Sequence, residues 1–293
     1  MTEKTMNIAF LGLGNMGGPM AANLVKDGYD VIGFDVSADA RAAAQSANVP
    51  VTDSLTEAVA TADTVITMLP NGAIVKNCYE ELLPFVPTGA LLIDSSTISV
   101  DDARAIHDMA AERGLEQLDA PVSGGVKGAT AGTLAFMVGG TDEAFNAARA
   151  VLDPMAGKII HCGGSGAGQA AKLCNNMLLA VQQIAVGEAF TLAQKLGLKD
   201  QALYDVITGA TGNCWAIETN CPVPGPVPTS PANNDFAPGF ATALMNKDLG
   251  LAMDAVVSTG ARAPLGEHAA QIYRGFADRS PGLDFSAVIT TLR

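Results

Sequence analysis

Residues 7–35 read NIAFLGLGNMGGPMAANLVKDGYDVIGFD. The opening NIAFLGL is a short apolar run that stops in glycine, which predicts a buried parallel strand. The next stretch, GNMGGPMAANLVKDG, predicts a helix ending at Gly28, and DVIGFD predicts a second strand ending at Asp35. Gly12, Gly14 and Gly17 form GxGxxG on the first turn of this strand, helix, strand unit, and Asp35 follows 23 positions after Gly12. That is the context a dinucleotide fingerprint requires. The first glycine permits a tight turn, the second lets a pyrophosphate approach the backbone, and the third lets helix and strand pack closely. The helix amino end offers free N–H groups and a positive dipole end to phosphate. Asp35 is then placed to accept from the adenosine ribose hydroxyls and to repel a 2'-phosphate, which selects NAD over NADP.

Outward from this unit the alternation continues. Ser54 with Glu57 reads as a capping box for a short helix, residues 62–70 as a strand and 73–83 as a helix. Residues 90–97, ALLIDSST, read as another strand, with Ser99 capping a helix that runs to Arg113. Open α/β sheets bind ligands at strand carboxyl ends, so residues 68–70 and 95–97 are expected beside the glycine loop. A strand, a glycine-rich loop and another strand follow over 116–140, then a helix over 142–155 and the strand KIIHCGG. The first domain is expected to span residues 1–163 and the second 164–293.

The second domain opens on a helix with an unusual residue. Between Ala170 and Gly187 nearly every side chain is Ala, Leu, Val, Ile or Met, and Lys172 is the only charge. A helix apolar all round is normally buried, and a buried lysine needs a partner or a purpose, because burial favours its neutral form. Gln169, Asn176 and Gln183 share roughly one stripe with Lys172, which predicts a face turned to a polar cleft. Residues 201–208, 244–258, 267–277 and 285–292 read as further helices, so this domain is expected to be all-α. The segment CWAIETNCPVPGPVPTSPANNDFAPGF is too proline-rich for helix or sheet and reads as a lid or a subunit contact rather than a spacer. The fold class is α/β: an N-terminal Rossmann-type domain, a long interdomain helix and an all-helical C-terminal domain.

Composition narrows the function. The 293 residues are 48% hydrophobic, enough for a real core, and the net charge of −13 argues against nucleic-acid or anionic-membrane partners. Five scattered cysteines without a CxxC pair read as reduced thiols, and three distant histidines give no metal site. The first residues carry neither a signal-peptide nor a transit pattern, and no apolar run is long enough to span a bilayer, so a cytoplasmic protein is expected.

Four ordered motifs, IAFLGLGNMGGPMAANLVKDG, DAPVSGG at 119–125, GAGQAAKLCNN at 166–176 and KDLGLA at 247–252, are similar to those of the β-hydroxyacid dehydrogenases, over nearly the whole chain. The segment from Gly212 to Phe240 resembles the branch acting on 3-hydroxyisobutyrate rather than the tartronate or succinate semialdehyde reductases. The resemblance implies that Lys172 is the catalytic acid/base, that Ser123 and Gly124 hold the substrate carboxylate, and that Asn176 orients the substrate. It implies that Lys247 lies near nicotinamide and substrate, and that Trp215 and Phe240 wall the pocket. For NAD it implies the loop from Gly12 through Asn15 and Met16 to Gly17, with Asp35, Leu69, Pro70, Thr97 and Lys247. The implied reaction is oxidation of 3-hydroxyisobutyrate to methylmalonate semialdehyde, a step of valine breakdown, by a homodimer or homotetramer. Neutral Lys172 would take the alcohol proton as hydride leaves, which predicts an alkaline optimum for oxidation. A related dehydrogenase acting on L-serine, a non-catalytic NAD-binding protein, which would be expected to lose the lysine, and a phosphogluconate-type decarboxylase are the competing readings.

Overall fold

The computed structural model describes residues 6–292, which fall into two compact units that part between Lys172 and Leu173. In the first, the apolar runs become strands and the segments between them helices: β1 (Asn7–Leu11), α1 (Gly17–Asp27), β2 (Asp30–Phe34), α2 (Ala38–Ser46), β3 (Val51–Thr52), α3 (Leu55–Val59), β4 (Thr64–Thr67), α4 (Gly72–Leu82), β5 (Leu91–Asp94), α5 (Val100–Ala111) and β6 (Glu116–Asp119). These are followed by β7 (Val122–Ser123), α6 (Gly125–Ala131), β8 (Leu134–Gly139), α7 (Asp142–Leu152) and β9 (Ala156–Gly163). The glycine-rich stretch after β7 therefore contains a helix where the sequence suggests only a loop.

The sheet order is β3-β2-β1-β4-β5-β6-β8-β7, with β9 beside β8. The strands from β3 through β6 are all parallel, while β8 runs antiparallel to β6 and β7 and parallel to β9. The chain reverses its direction of travel across the sheet between β1 and β4, so the crevice outside their carboxyl ends is the topological switch point. Both faces are covered. Phe10, Met20, Leu24, Phe136 and Leu152 pack on one side, and Leu11, Val75, Tyr79, Leu92 and Ile106 on the other. Ser99 caps α5 by accepting from Asp102 N–H, as its position suggests. At α3 only half of the capping box forms: Ser54 accepts from Glu57 N–H, but the Glu57 carboxylate accepts from the Thr52 hydroxyl.

The long helix α8 runs from Ala167 to Lys195. The two units part within α8, because its first turn is built into the sheet. A Cβ on Gly168 would lie 2.3 Å from the Met137 carbonyl oxygen and 2.6 Å from that of Asp119.

The second unit holds the rest of α8 with α9 (Asp200–Thr208), α10 (Trp215–Glu218), α11 (Thr242–Thr259), α12 (Pro264–Ala277) and a 3-10 turn at Phe285–Thr291. Its core joins Ile184, Met245, Leu249, Tyr273, Phe276 and Phe285, with a second cluster around Phe190, Ile217, Val223 and Ile289. Two expectations change here. The proline-rich segment opens with a short helix, α10, and later has a 3-10 turn at Pro231–Asn233, and its Cys221, Val223 and Val227 are buried in the unit's core. And α8 is not covered all round: Leu178 and Leu192 are 56% and 60% exposed. Among the described residues no helix is long and apolar enough to cross a membrane.

Candidate active site

The glycine turn after β1 has the shape its sequence requires. Gly12 takes φ +95° and lies so near Met68 that a Cβ would stand 2.3 Å from its carbonyl oxygen; a Cβ on Gly17 would strike the Gly12 carbonyl oxygen. Gly14 differs. It faces open space, with nothing within 4 Å of its would-be Cβ, and Asn15 beside it is exposed. No side chain caps α1, which follows Met16, and no acid stands in its first turn; Gly18 N–H bonds Gly14 O at 3.0 Å, Met20 N–H bonds Met16 O at 3.2 Å and Pro19 has no N–H, so Gly17 is the residue of that turn that can offer its N–H to an anion. The Asp35 carboxylate accepts from Leu13 N–H at 2.8 Å and from Ser37 N–H at 2.8 Å, one bond to each oxygen. Each oxygen keeps a lone pair for a ribose hydroxyl. The open cradle, the uncapped helix and the fixed carboxylate fit a dinucleotide.

The next two strand ends are tied together by a buried carboxylate. Asp94 Oδ1 accepts from the Thr67 hydroxyl at 2.7 Å and the Ser96 hydroxyl at 2.6 Å, and Ser96 Oγ accepts from Leu69 N–H at 2.8 Å. This chain of bonds places Leu69 and the exposed Pro70 after β4 in register with Thr97 after β5. Ser123 ends β7, and Gly124 follows it with φ +137°. These residues therefore line the carboxyl ends of the sheet, where the alternation pattern expects residues 68–70 and 95–97.

Lys172 is 6% exposed on α8, and the first turn of that helix is held from two sides. Asp119, at the end of β6, accepts from Gly166 N–H at 2.7 Å and Gln169 N–H at 2.8 Å. It thus acts as a helix cap supplied from a distant strand. Burial pushes its carboxyl up to about 6 against the lowering effect of these bonds, and nearby Asp94 adds to the rise. The Gln169 side chain donates to Ser96 O at 2.7 Å and accepts from Ile98 N–H at 3.2 Å.

In the second unit, Asn176 stands one helical turn after Lys172 on α8 and is 2% exposed. Its amide nitrogen donates to Asp248 Oδ2 at 2.6 Å, and its amide oxygen accepts from Asn175 at 3.0 Å. The amide orientation is therefore set, with one N–H left for a ligand. Lys247 is half-buried on α11, Phe240 packs edge-on against Phe285 with centroids 5.8 Å apart, and Trp215 opens α10 at 49% exposure. Gln183, the last residue of the polar stripe, bonds Asn220 O at 3.3 Å and serves the unit's interior. Asp284 holds Gly239 N–H and Phe240 N–H at 3.0 Å each, which fixes the backbone that carries Phe240.

Residue patterns alone do not single out Asp94, Asp119, Gln169's clamp, Asp248 or Asp284. Asp248 could have been found by the criterion that found Lys172, since it is a charge on an apolar stretch of α11, LMNKDLGLAM, beside a lysine. The others accept or donate between elements far apart in sequence, and leave no local signal. Among the described residues no three His, Cys, Asp or Glu are grouped so as to hold a metal ion.

The family described as the NAD-binding domain of 6-phosphogluconate dehydrogenase matches residues 7–164, and that described as NAD-binding of NADP-dependent 3-hydroxyisobutyrate dehydrogenase matches 166–292. A Mycobacterium tuberculosis protein described as a probable 3-hydroxyisobutyrate dehydrogenase is 68% identical, over 98% of this chain and 97% of its own. The NAD-dependent L-serine dehydrogenase of Pseudomonas aeruginosa is 44% identical over 96% of each chain. The solved structure of Mycobacterium tuberculosis 3-hydroxyisobutyrate dehydrogenase with L-serine superposes with a TM-score of 0.97 at 67% identity, covering 99% of this chain and 100% of that one. The two family matches together span residues 7–292 and the close relatives are matched over nearly their full length, so the chain belongs to the 3-hydroxyisobutyrate dehydrogenase branch of the β-hydroxyacid dehydrogenase family.

Proposed function

We propose that this chain oxidises 3-hydroxyisobutyrate to methylmalonate semialdehyde with NAD, using Lys172 as general base. The observation that carries the reading is the burial of Lys172 one turn beyond a helix start anchored to the sheet's carboxyl edge. NAD, held by the Gly12–Gly17 turn, Asp35, Leu69, Pro70 and Thr97, supplies the two-electron acceptor for the hydride on the alcohol carbon. Neutral Lys172 Nζ takes the alcohol proton as that carbon becomes a carbonyl, and the ammonium returns it in the reverse direction. The Ser123 hydroxyl and Gly124 N–H hold the substrate carboxylate, and the remaining Asn176 N–H orients the alcohol. Lys247 adds positive charge near carboxylate and nicotinamide in a chain of net charge −13, and Trp215 and Phe240 form pocket walls.

L-Serine is the second substrate to weigh, because a 44% identical relative is an L-serine dehydrogenase and shares the 3-hydroxy acid frame. The branch point is small, since one methyl group in a pocket discriminates by about 1–3 kcal/mol. The deciding experiment follows NADH formation from L-3-hydroxyisobutyrate, L-serine, D-glycerate and 4-hydroxybutyrate, with NAD and NADP in parallel. At least a tenfold kcat/KM advantage for hydroxyisobutyrate with NAD is expected; preference for another acid moves the substrate but keeps the chemistry. Lys172→Ala should lower kcat about 10²- to 10⁴-fold with NAD binding intact. Near-normal turnover in that variant would sink the assignment.

The chain acts as a homodimer or homotetramer in this reading. Leu178, Ala185 and Leu192 recur every seven residues along the exposed side of α8, a seam suited to a second copy, and light scattering measures the outcome. The five free cysteines fit a reducing, cytoplasmic setting.

A further inference from the structure

Thr97 is bracketed by two peptide groups, and one side chain holds both. The Ser96 carbonyl accepts from Gln169 Nε2 at 2.7 Å, and the Ile98 N–H donates to Gln169 Oε1 at 3.2 Å. The backbone N–H of Gln169 is committed as well, at 2.8 Å from Asp119 Oδ2. Gln169 is fully buried. A primary amide is the group that can serve one backbone donor and one backbone acceptor at once without carrying charge into the interior. Three residues later on the same helix stands Lys172.

We propose that Gln169 is a positioning residue, a clamp that sets the placement of the cofactor-loop residue Thr97 and of Lys172 from a single point on α8. It touches neither reactant. Its effect is geometric: hydride and proton leave the same alcohol in one step, so the group taking the proton must keep its distance from the loop that steadies the hydride acceptor. Displacement of a reacting group by about 1 Å costs on the order of 10²-fold in rate. The inference rests on the roles proposed above for Lys172 and Thr97.

The test is Gln169→Met, which keeps length and removes both bonds. Expected are a 10- to 100-fold loss of kcat, KM for the hydroxy acid and Kd for NADH each within threefold of wild type, and a larger deuterium isotope effect with substrate labelled at the alcohol carbon. The glycine turn and Asp35 are untouched, which is why cofactor affinity should hold. A folded Gln169→Met protein with kcat within threefold of wild type would overturn the clamp, as would NADH affinity lost in proportion to kcat. If Gln169→Met does not fold, Gln169→Glu decides. A protonated glutamic acid offers the same donor and acceptor as glutamine, whereas the carboxylate offers no donor. Turnover of Gln169→Glu in the reducing direction, relative to wild type, should therefore recover as pH falls, and no recovery overturns the proposal. Lys172→Ala assayed alongside separates the two claims: turnover retained there refutes the lysine assignment whatever Gln169 does, and turnover lost there with Gln169→Met at wild-type kcat refutes the clamp alone.

Discussion

Substitution of Gly168 by alanine tests how closely the lysine helix must approach the sheet. The added methyl would stand 2.3 Å from Met137 O, 2.6 Å from Asp119 O and 2.8 Å from Asp119 Oδ2. Two of these are rigid backbone atoms, so the helix start must withdraw by about 1 Å to restore ordinary contact distances of roughly 3.3 Å or more. Such a shift stretches the bonds from Gly166 N–H and Gln169 N–H to Asp119, now 2.7 and 2.8 Å, beyond hydrogen-bond range. Each bond to a charged group contributes about 1.5–3 kcal/mol, so the loss is about 3–6 kcal/mol. At about 2–4 °C per kcal/mol for a unit of this size, Tm should fall on the order of 10 °C. The same shift moves Lys172 and should lower kcat about 10²-fold. Gly164→Ala is the control, since a Cβ there meets nothing within 4 Å. Calorimetry and steady-state kinetics on both variants give the answer. If Gly168→Ala melts within 2 °C of Gly164→Ala and turns over within twofold of it, the tight helix contact is not what positions the lysine.

Asp35→Ser should shift the kcat/KM ratio of NADP to NAD upward at least tenfold: the variant lacks the carboxylate that repels a 2'-phosphate, and the Arg41 guanidinium already bonds Asp35 O at 2.6 Å. An unchanged ratio would remove Asp35 from cofactor choice. Asp248→Ala deprives Asn176 of its 2.6 Å acceptor and should lower kcat/KM by about 10- to 150-fold, the equivalent of about 1.5–3 kcal/mol; activity within twofold would mean that Asn176 keeps its orientation without it. Asp119 gives a pH signature. Its carboxyl is raised to about 6 in the folded chain, so its contribution to stability is complete below the unfolded value near 4 and is lost as pH rises through 6. Denaturant unfolding should show this as a fall of roughly 3 kcal/mol over that window, flattened in Asp119→Asn, and an equal slope in both proteins would contradict the burial argument.

Much of this molecule is legible in its residues. The apolar runs of four or five, the glycines between them and the capping serines determine the strands, helices and glycine turn, because each depends on neighbours within a few positions. Lys172 stands out for the same reason: a lone charge in an apolar helix is visible without coordinates. For Trp215 and Phe240 only the family resemblance carries a signal in the sequence, and the fold supplies their surroundings.

What only the tertiary structure decided are the relations between segments. That α6 forms in the glycine-rich stretch, that the proline-rich segment folds into the second unit's core, and that one side of α8 stays exposed all follow from packing partners distant in sequence. The same holds for Asp119 capping a helix 47 residues away and for Gln169 clamping a loop 71 and 73 residues before it. A hydrogen bond between such residues has no period and no local propensity, so the sequence by itself determined which chemistry the chain carries, and the packing of distant segments decided how its reacting groups are held.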